Sequence, residues 1–494
     1  MKKTKEQVLQ IAVDRCREMG VILPTFKQQA NPTLVPETIV EKLKKHSIWA
    51  RHPLNLFRIT WKNQQVADPQ TQGSGFGDVN FVELPSELTG TKARIFVLTG
   101  KYFPTGAHKV GATYGPLIKK ITIGEFDPTT QKAIWPSTGN YCRGGAYDSA
   151  LLGYSSIAIL PEEMSAERFS WLKEIGAEVF ATPGCESNVK EIYDKVKELL
   201  AERGDAVINF NQFEDFGNPL WHFNITGRAM KEVFDKFADK KDRLAGVFLT
   251  QGSAGTLSAC DYLKKYHNPT VKLGVGEALQ CPTLLYNGFG GHRIEGIGDK
   301  HVPWVHNLKT SDMVIGIDDN PNIRIMRLFN SQAGQKYLSQ KGVSDEILSK
   351  LNLLGISGIA NVMGTIKMAK YYEMTSKDCL FTVATDSMEM YQSRLAEQEK
   401  LNGKFTQTDA AVSYDSDLMG LDTQHTMELS YLDKKRMHNL KYFTWIEQQG
   451  KSVEEINAQW YDEDYWLSKI DRADYWDEKI NEFNDRVGLL KKLK

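Results

Sequence analysis

The chain has 494 residues, 41% hydrophobic and 25% charged, which is the composition of a globular protein long enough for two or three domains and a large core. Its 61 Lys and Arg nearly balance 62 Asp and Glu, a formal net charge of -1, so no general field draws it to nucleic acid or to an anionic membrane surface. A small polar or zwitterionic ligand is the natural partner, with no nucleic acid and no membrane.

The N-terminal stretch MKKTKEQVLQIAVDRCREMG lacks the unbroken apolar core and small-residue cleavage site of a signal peptide, and no apolar run in the chain approaches the length of a membrane span. The expected location is the cytoplasm. Residues 1–90 read as an N-terminal extension of mixed helix and loop. It ends in the glycine-rich QTQGSGFGD (70–78), which carries little weight as a dinucleotide fingerprint because a strand, VNFVEL, follows it. The six cysteines (Cys16, Cys142, Cys185, Cys260, Cys281, Cys379) form no CxxC pair and have no His-x-x-x-His partner. Reduced, packed thiols are expected rather than zinc or a disulfide framework, and no metal site is expected.

From residue 91 onward, short apolar runs alternate with helical segments. ARIFVL (93–98), KAIWP (132–136), SSIAILP (155–161), RLAGVFLT (243–250), VKLGVGEA (271–278) and DCLFTVA (378–384) each read as a strand ending in a turn, and a helix follows most of them. This alternation predicts an α/β protein with two doubly wound parallel-sheet domains, residues 91–235 and 236–395, where ligands collect beyond the carboxyl ends of the strands. The segment 396–494 is charged and rich in Trp and Tyr, and it reads as a helical extension packed on the catalytic body or on another subunit.

Five segments carry chemistry. TGAHK (105–109) places Lys109 just past a strand. PSTGNYCRGGA (136–146) offers hydroxyls, Asn140 and glycine-freed N–H groups where a helix starts, a place for a carboxylate or a phenolic oxygen. TQGSAGTLS (250–258) has the small residues and hydroxyls that suit a dianionic phosphate at a helix start. GISG (355–358) and TDS (385–387) add a close backbone approach and polar side chains. A lysine, a phosphate cradle and polar groups for a ring together describe a site for pyridoxal 5'-phosphate.

These motifs resemble those of the fold type II pyridoxal-phosphate enzymes, the cysteine synthase and tryptophan synthase β-subunit superfamily. TGAHK resembles the Schiff-base turn of the tryptophan synthase β-subunit. STGN resembles the cysteine synthase TSGN loop, GSAGT its GTGGT phosphate loop, HRIEGIG (292–298) its HKIQGIG, and GISG its GISSG; the matches run in family order over residues 80–395. The resemblance implies Lys109 as the Schiff-base lysine and Asn140 as the contact to the phenolic oxygen of the cofactor. It also implies Ser137, Thr138 and Gly139 as the substrate-carboxylate loop, and Gly252, Ser253, Gly255 and Thr256 as the phosphate cradle, with Ala254 only keeping that turn small. Gly355 would approach the cofactor closely. His108 would either touch the phosphate or simply pack.

Aligning on Tyr391 puts Asp386 opposite the pyridine nitrogen, and a slip of one residue puts Thr385 or Ser387 there. A carboxylate would protonate the ring and a hydroxyl would not. After GIG the chain reads DKHVPWVHN, where cysteine synthases carry small and apolar residues. Lys300 and His301, with Arg143, would either meet a second negative charge on the substrate or be exposed loop charges. Cys142 reads as a packed helix-start thiol, with no base visible beside it. The STGN loop lacks the glutamate of the tryptophan synthase β-subunit, which argues against indole chemistry.

The expected activity is therefore that of a pyridoxal-phosphate-dependent lyase or transferase acting on a small amino acid by β-elimination or β-replacement through an aminoacrylate. The alternatives are a serine or threonine dehydratase, the catalytic β-chain of a two-component enzyme, and a non-catalytic interaction protein. Retention of Lys109 with the full phosphate turn argues against the last. The resemblance also implies a homodimer, and the terminal extensions leave room for a partner subunit.

Overall fold

The computed structural model describes residues 3–137 and 139–492. Two sheets form its centre. The first is four-stranded and wholly parallel, in the order β5-β4-β3-β6, built from β3 (Lys132–Pro136), β4 (Ser156–Pro161), β5 (Glu178–Thr182) and β6 (Val207–Asn209). The second is seven-stranded, in the order β1-β2-β10-β7-β8-β9-β11. Its central strands β2 (Arg94–Thr99), β10 (Asp378–Ala384), β7 (Arg243–Thr250), β8 (Lys272–Ala278) and β9 (Met313–Ile317) are parallel, and β1 (Phe81–Leu84) and β11 (Thr426–Glu428) close the two edges antiparallel.

The apolar runs are continuous because both faces of the large sheet are covered. In β2, Ile95 and Val97 join one buried cluster while Phe96 and Leu98 join another, and β7 and β10 alternate in the same way. The helix Ile356–Tyr371, buried along nearly its whole length, covers one face, and residues of the other face join a second buried cluster. Among the described residues no single helix is long and apolar enough to cross a membrane.

The sheets do not follow the expected division at residue 235. Strand β2 pairs with β10 over six residues, so the strand that leads to Lys109 belongs with residues 243–384, and residues 132–209 alone make the smaller sheet. Strand order is a long-range property that alternation along the chain does not encode. The two terminal extensions also differ from simple caps. β1 and β11 each add a strand to the large sheet, and the ends of the chain pack on each other. The side chain of Asn484 accepts from the N–H of Leu23 at 2.9 Å, and Asp477 accepts from the N–H groups of Phe26 and Lys27.

The C-terminal segment reaches further, to the loop after the GIG turn. Lys441, fully buried, spends its three N–H donors on the carbonyls of Trp304 (2.9 Å) and His306 (2.7 Å) and on the side-chain oxygen of Gln459 (2.7 Å). The indole N–H of Trp445 donates to the carbonyl of Val302 at 2.8 Å. Residues 302–306 are thus held from outside by groups more than a hundred residues away.

Candidate active site

Four strands of the large and small sheets end around Lys109. β2 leads into the turn that carries it, β3 into Ser137, β7 into Gly252 and β10 into Thr385, so all four loops lie at carboxyl ends. Lys109 opens the helix Lys109–Thr122, and its Nζ donates to Ser253 Oγ at 3.1 Å. Asn218 Nδ2 donates to the same hydroxyl at 3.0 Å. Burial pulls the Lys109 ammonium down to about 8, against the opposing pull of the Asp299 and Glu186 carboxylates. A cavity lies over this pair, walled by Lys109, the turn of Gly252, Ser253, Ala254 and Thr256, and Thr385 of the β10 loop.

The phosphate turn is built for close approach. Ala254 sits at φ 64°, and a methyl group on Gly255 would land on the Asn218 amide. Among the described residues no carbonyl accepts from the N–H groups of Gly252, Ser253 and Ala254, so these donors remain available at the start of the helical segment 255–266.

His108 is fully buried. Its N–H donates to the Thr385 carbonyl (3.1 Å), its Nε2 lies 3.2 Å from Thr385 Oγ1, and its ring packs against Trp61 and His222. Burial and the adjacent Lys109 pull its pKa down to about 3, so it is a neutral imidazole holding the β10 loop. Of the three residues TDS, Thr385 lines the cavity, Ser387 turns toward Glu389, and Asp386 turns the other way.

Asp386 heads a network on the substrate-loop side that its neighbours in sequence did not announce. Asn140 Nδ2 donates to Asp386 Oδ2 at 2.6 Å, the Tyr391 hydroxyl donates to the same oxygen at 2.7 Å, and Arg168 Nη2 meets that hydroxyl at 3.0 Å. Arg168 pairs with Glu295 at 2.9 Å and more loosely with Glu186 at 3.9 Å, and Arg394 Nε holds the other oxygen of Glu295 at 2.6 Å. The guanidinium of Arg168 occupies the space where a side chain on Gly139 would be. Only glycine, here at φ 152°, lets the arginine reach the loop between β3 and the helix Asn140–Leu151. Burial raises the Asp386 pKa.

The other expected site residues are distributed as follows. Ser137 Oγ accepts from the Gly139 N–H at 3.2 Å, and Thr138 lies outside the described residues. Gly355 donates its N–H to the Asp386 carbonyl at 3.1 Å, with its open side against the Asp386 carboxylate. Cys142 is buried, donates to the Trp135 carbonyl at 2.9 Å, and burial pushes its thiol up to about 12.

Three expected charges do not converge on Lys109. Arg143 is buried under Trp171 and donates to the carbonyl of Thr105, which it holds at φ 71°. Lys300 is exposed and points to Asn188, while His301 is packed among Tyr193, Phe213 and Trp445, 3.2 Å from the Tyr193 hydroxyl. The charge of the loop that couples to Lys109 is that of Asp299, one residue earlier. Sequence reasoning missed Asp299, Arg168, Glu295 and Asn218. Asp299, beside the GIG turn, was the one with a local signal.

Residues 74–335, more than half of the chain, match the pyridoxal-phosphate dependent enzyme family. The chain belongs to that family. Among curated relatives, cystathionine beta-synthase of Saccharomyces cerevisiae is 27% identical over 326 residues, 65% of this chain but only 61% of the yeast protein. Cysteine synthase of Staphylococcus aureus is 28% identical over 318 residues, 64% of this chain and 93% of the relative. The solved cysteine synthase of Entamoeba histolytica shares the fold at a TM-score of 0.55 and 22% identity, over 68% of this chain and 92% of that one.

The residues present fit the family's cofactor. The Gly252–Ala254 donors and the bare Gly255 would make a cradle for its phosphate. Lys109, half-buried and with its pKa lowered, is an amine that would bond its aldehyde.

Proposed function

We propose that this pyridoxal-phosphate enzyme is a lyase or transferase that removes or replaces the β-substituent of a small amino acid. The observation that carries the reading is Lys109 itself, a half-buried amine bonded to Ser253 of the 252–256 turn and brought down to about 8. At that value a sizeable fraction is neutral near physiological pH, free to take a proton and to return it.

The cofactor, when bound, supplies the electron sink that makes the substrate Cα–H acidic. The chain does the rest. The loop at Ser137 and Gly139 binds the substrate carboxylate, with the Ser137 hydroxyl, oriented by the Gly139 N–H, as the donor, and Arg168, already paired with Glu295 and Glu186, holds the loop from behind Gly139. Lys109 Nζ takes the Cα proton while Ser253 Oγ holds the amine in place. Thr385, a hydroxyl on the cavity wall fixed by His108, is the group we assign to the ring nitrogen, in place of Asp386. A neutral partner there leaves the nitrogen unprotonated and favours prompt loss of the β-substituent.

The curated relatives, a cystathionine beta-synthase and a cysteine synthase, support this reaction class. The test is an absorbance spectrum of the purified protein before and after serine, cysteine, O-acetylserine, threonine and cysteate. We expect a visible cofactor band that one substrate shifts, and its loss together with a drop in turnover of roughly 10³-fold or more in Lys109→Ala. A protein that stays colourless after reconstitution with pyridoxal phosphate would end the reading.

A further inference from the structure

Lys109 accounts for one proton. Loss or addition of a β-substituent moves a second one, and the same site contains an ionisable group that nothing else in the fold employs. Asp299 is almost fully buried, and among the described residues its Oδ2 has no hydrogen-bond partner. Burying a carboxyl without partners is expensive, and the chain satisfies such a group elsewhere: both oxygens of the buried Glu277 accept N–H bonds, from Leu284 and Leu285.

The backbone fixes Asp299 beside the cavity. Gly296 lines the cavity itself, the Gly298 N–H donates to the Gln251 carbonyl at 2.7 Å just before the phosphate turn, and the Thr283 hydroxyl donates to the Asp299 carbonyl at 2.7 Å. From the other side the loop is anchored through Val302, Trp304 and His306 by Trp445 and Lys441. The backbone on both sides of Asp299 is thus fixed, its carboxylate couples to Lys109, and its Oδ2 is left without a partner among the described residues. Burial pushes its pKa up to about 7, with Lys109 opposing, so acid and base forms coexist near neutrality.

We propose that Asp299 is the second proton-transfer group of the site, protonating the departing β-substituent and deprotonating the nucleophile that replaces it. This rests on the β-elimination reading above. As the Cβ–X bond breaks with its electron pair going to X, the carboxyl O–H proton passes to X and leaves a carboxylate. In replacement, that carboxylate takes the proton of the incoming thiol or amine as its lone pair forms the new bond to Cβ. In elimination, water restores the proton.

The test compares holoenzyme and its Asp299→Asn and Asp299→Ser variants on two readouts. The first is turnover as a function of the leaving group. Serine and cysteine release groups that need a proton, and O-acetylserine and β-chloroalanine release groups that do not. The expected result is a loss of about 100-fold or more for the first pair and little change for the second. Equal losses on all four, or none, overturn the proposal while leaving the β-elimination reading intact. A wild type inert toward all four removes that reading and the proposal with it. The second readout is independent of turnover: the carboxylic-acid infrared band of wild type minus Asp299→Asn. It should be present at pH 6 and titrate away near pH 7. Its absence at pH 6 also overturns the proposal, and agreement between the two variants excludes a folding artefact.

Discussion

The two sides of the Lys109 site are made differently. On the phosphate side the work is done by backbone: small residues at 252–255, one residue at positive φ, and N–H groups at a helix start. On the substrate-loop side it is done by long side chains brought together from distant positions, with Arg168 linking Glu186, Glu295 and Tyr391, and Asp386 joined to Asn140 and Tyr391. A cradle of N–H groups recognises one invariant anion and needs only a short run of suitable residues. A buried network of charges holds its members against one another, and the loss of one charge leaves its partners buried without compensation. The first side should therefore fail gently and locally, and the second severely and through the whole fold.

The largest expected effect follows from that contrast. Arg168→Met keeps most of the volume but leaves Glu295 and Glu186 buried with half their compensation gone. Breaking a buried ion pair from one side costs about 3–5 kcal/mol, and the urea midpoint should fall accordingly. A loss below about 1 kcal/mol would mean that the network is dispensable and that the contrast is false. On the phosphate side, Gly255→Ala adds one methyl against the Asn218 amide, an overpacking of about 1–3 kcal/mol. That cost should appear as cofactor lost on dialysis, followed by the visible band, together with a urea midpoint lowered by less than in Arg168→Met. A midpoint that falls as far as in Arg168→Met would erase the distinction.

The same contrast explains what could be read from the chain. The parallel strands, the lysine turn and the phosphate turn are each written within about ten consecutive residues, as an apolar run that ends in Gly, Ser or Thr before a helix. Those parts were legible. The pairing of β2 with β10, across nearly three hundred residues, was not, nor was the role of Gly139 as the place where an arginine from another helix fits. Of the residues expected to carry charge in the loop after GIG, Lys300 faces solvent and His301 packs among Tyr193, Phe213 and Trp445, while Asp299 couples to Lys109. Which side chain of a loop turns inward depends on what holds the loop, and here that is the C-terminal segment through Lys441 and Trp445. Asp386 was singled out by alignment on Tyr391, and Tyr391 is indeed its hydrogen-bond partner, yet that bond belongs to the side-chain network rather than to the cavity wall that Thr385 lines.

The smallest effect is also the most discriminating. Tyr391→Phe deletes a hydroxyl that donates to Asp386 Oδ2 at 2.7 Å and lies 3.0 Å from Arg168, while Asn140 continues to donate to the same carboxylate. One hydrogen bond with a surviving companion is worth about 1 kcal/mol. Burial raises the Asp386 pKa, and the Tyr391 hydrogen bond opposes that rise by favouring the charged form. The variant should then hold the Asp386 proton to higher pH than the wild type. Its stability deficit should be greatest where Asp386 is ionised in the wild type, and it should shrink as pH falls and the carboxyl becomes protonated in both proteins. Urea denaturation of the two proteins across a pH series measures this directly. A deficit that stays constant with pH would mean that the hydroxyl contributes by packing alone, and Asp386 would then no longer link the substrate loop electrostatically to the Arg168 network.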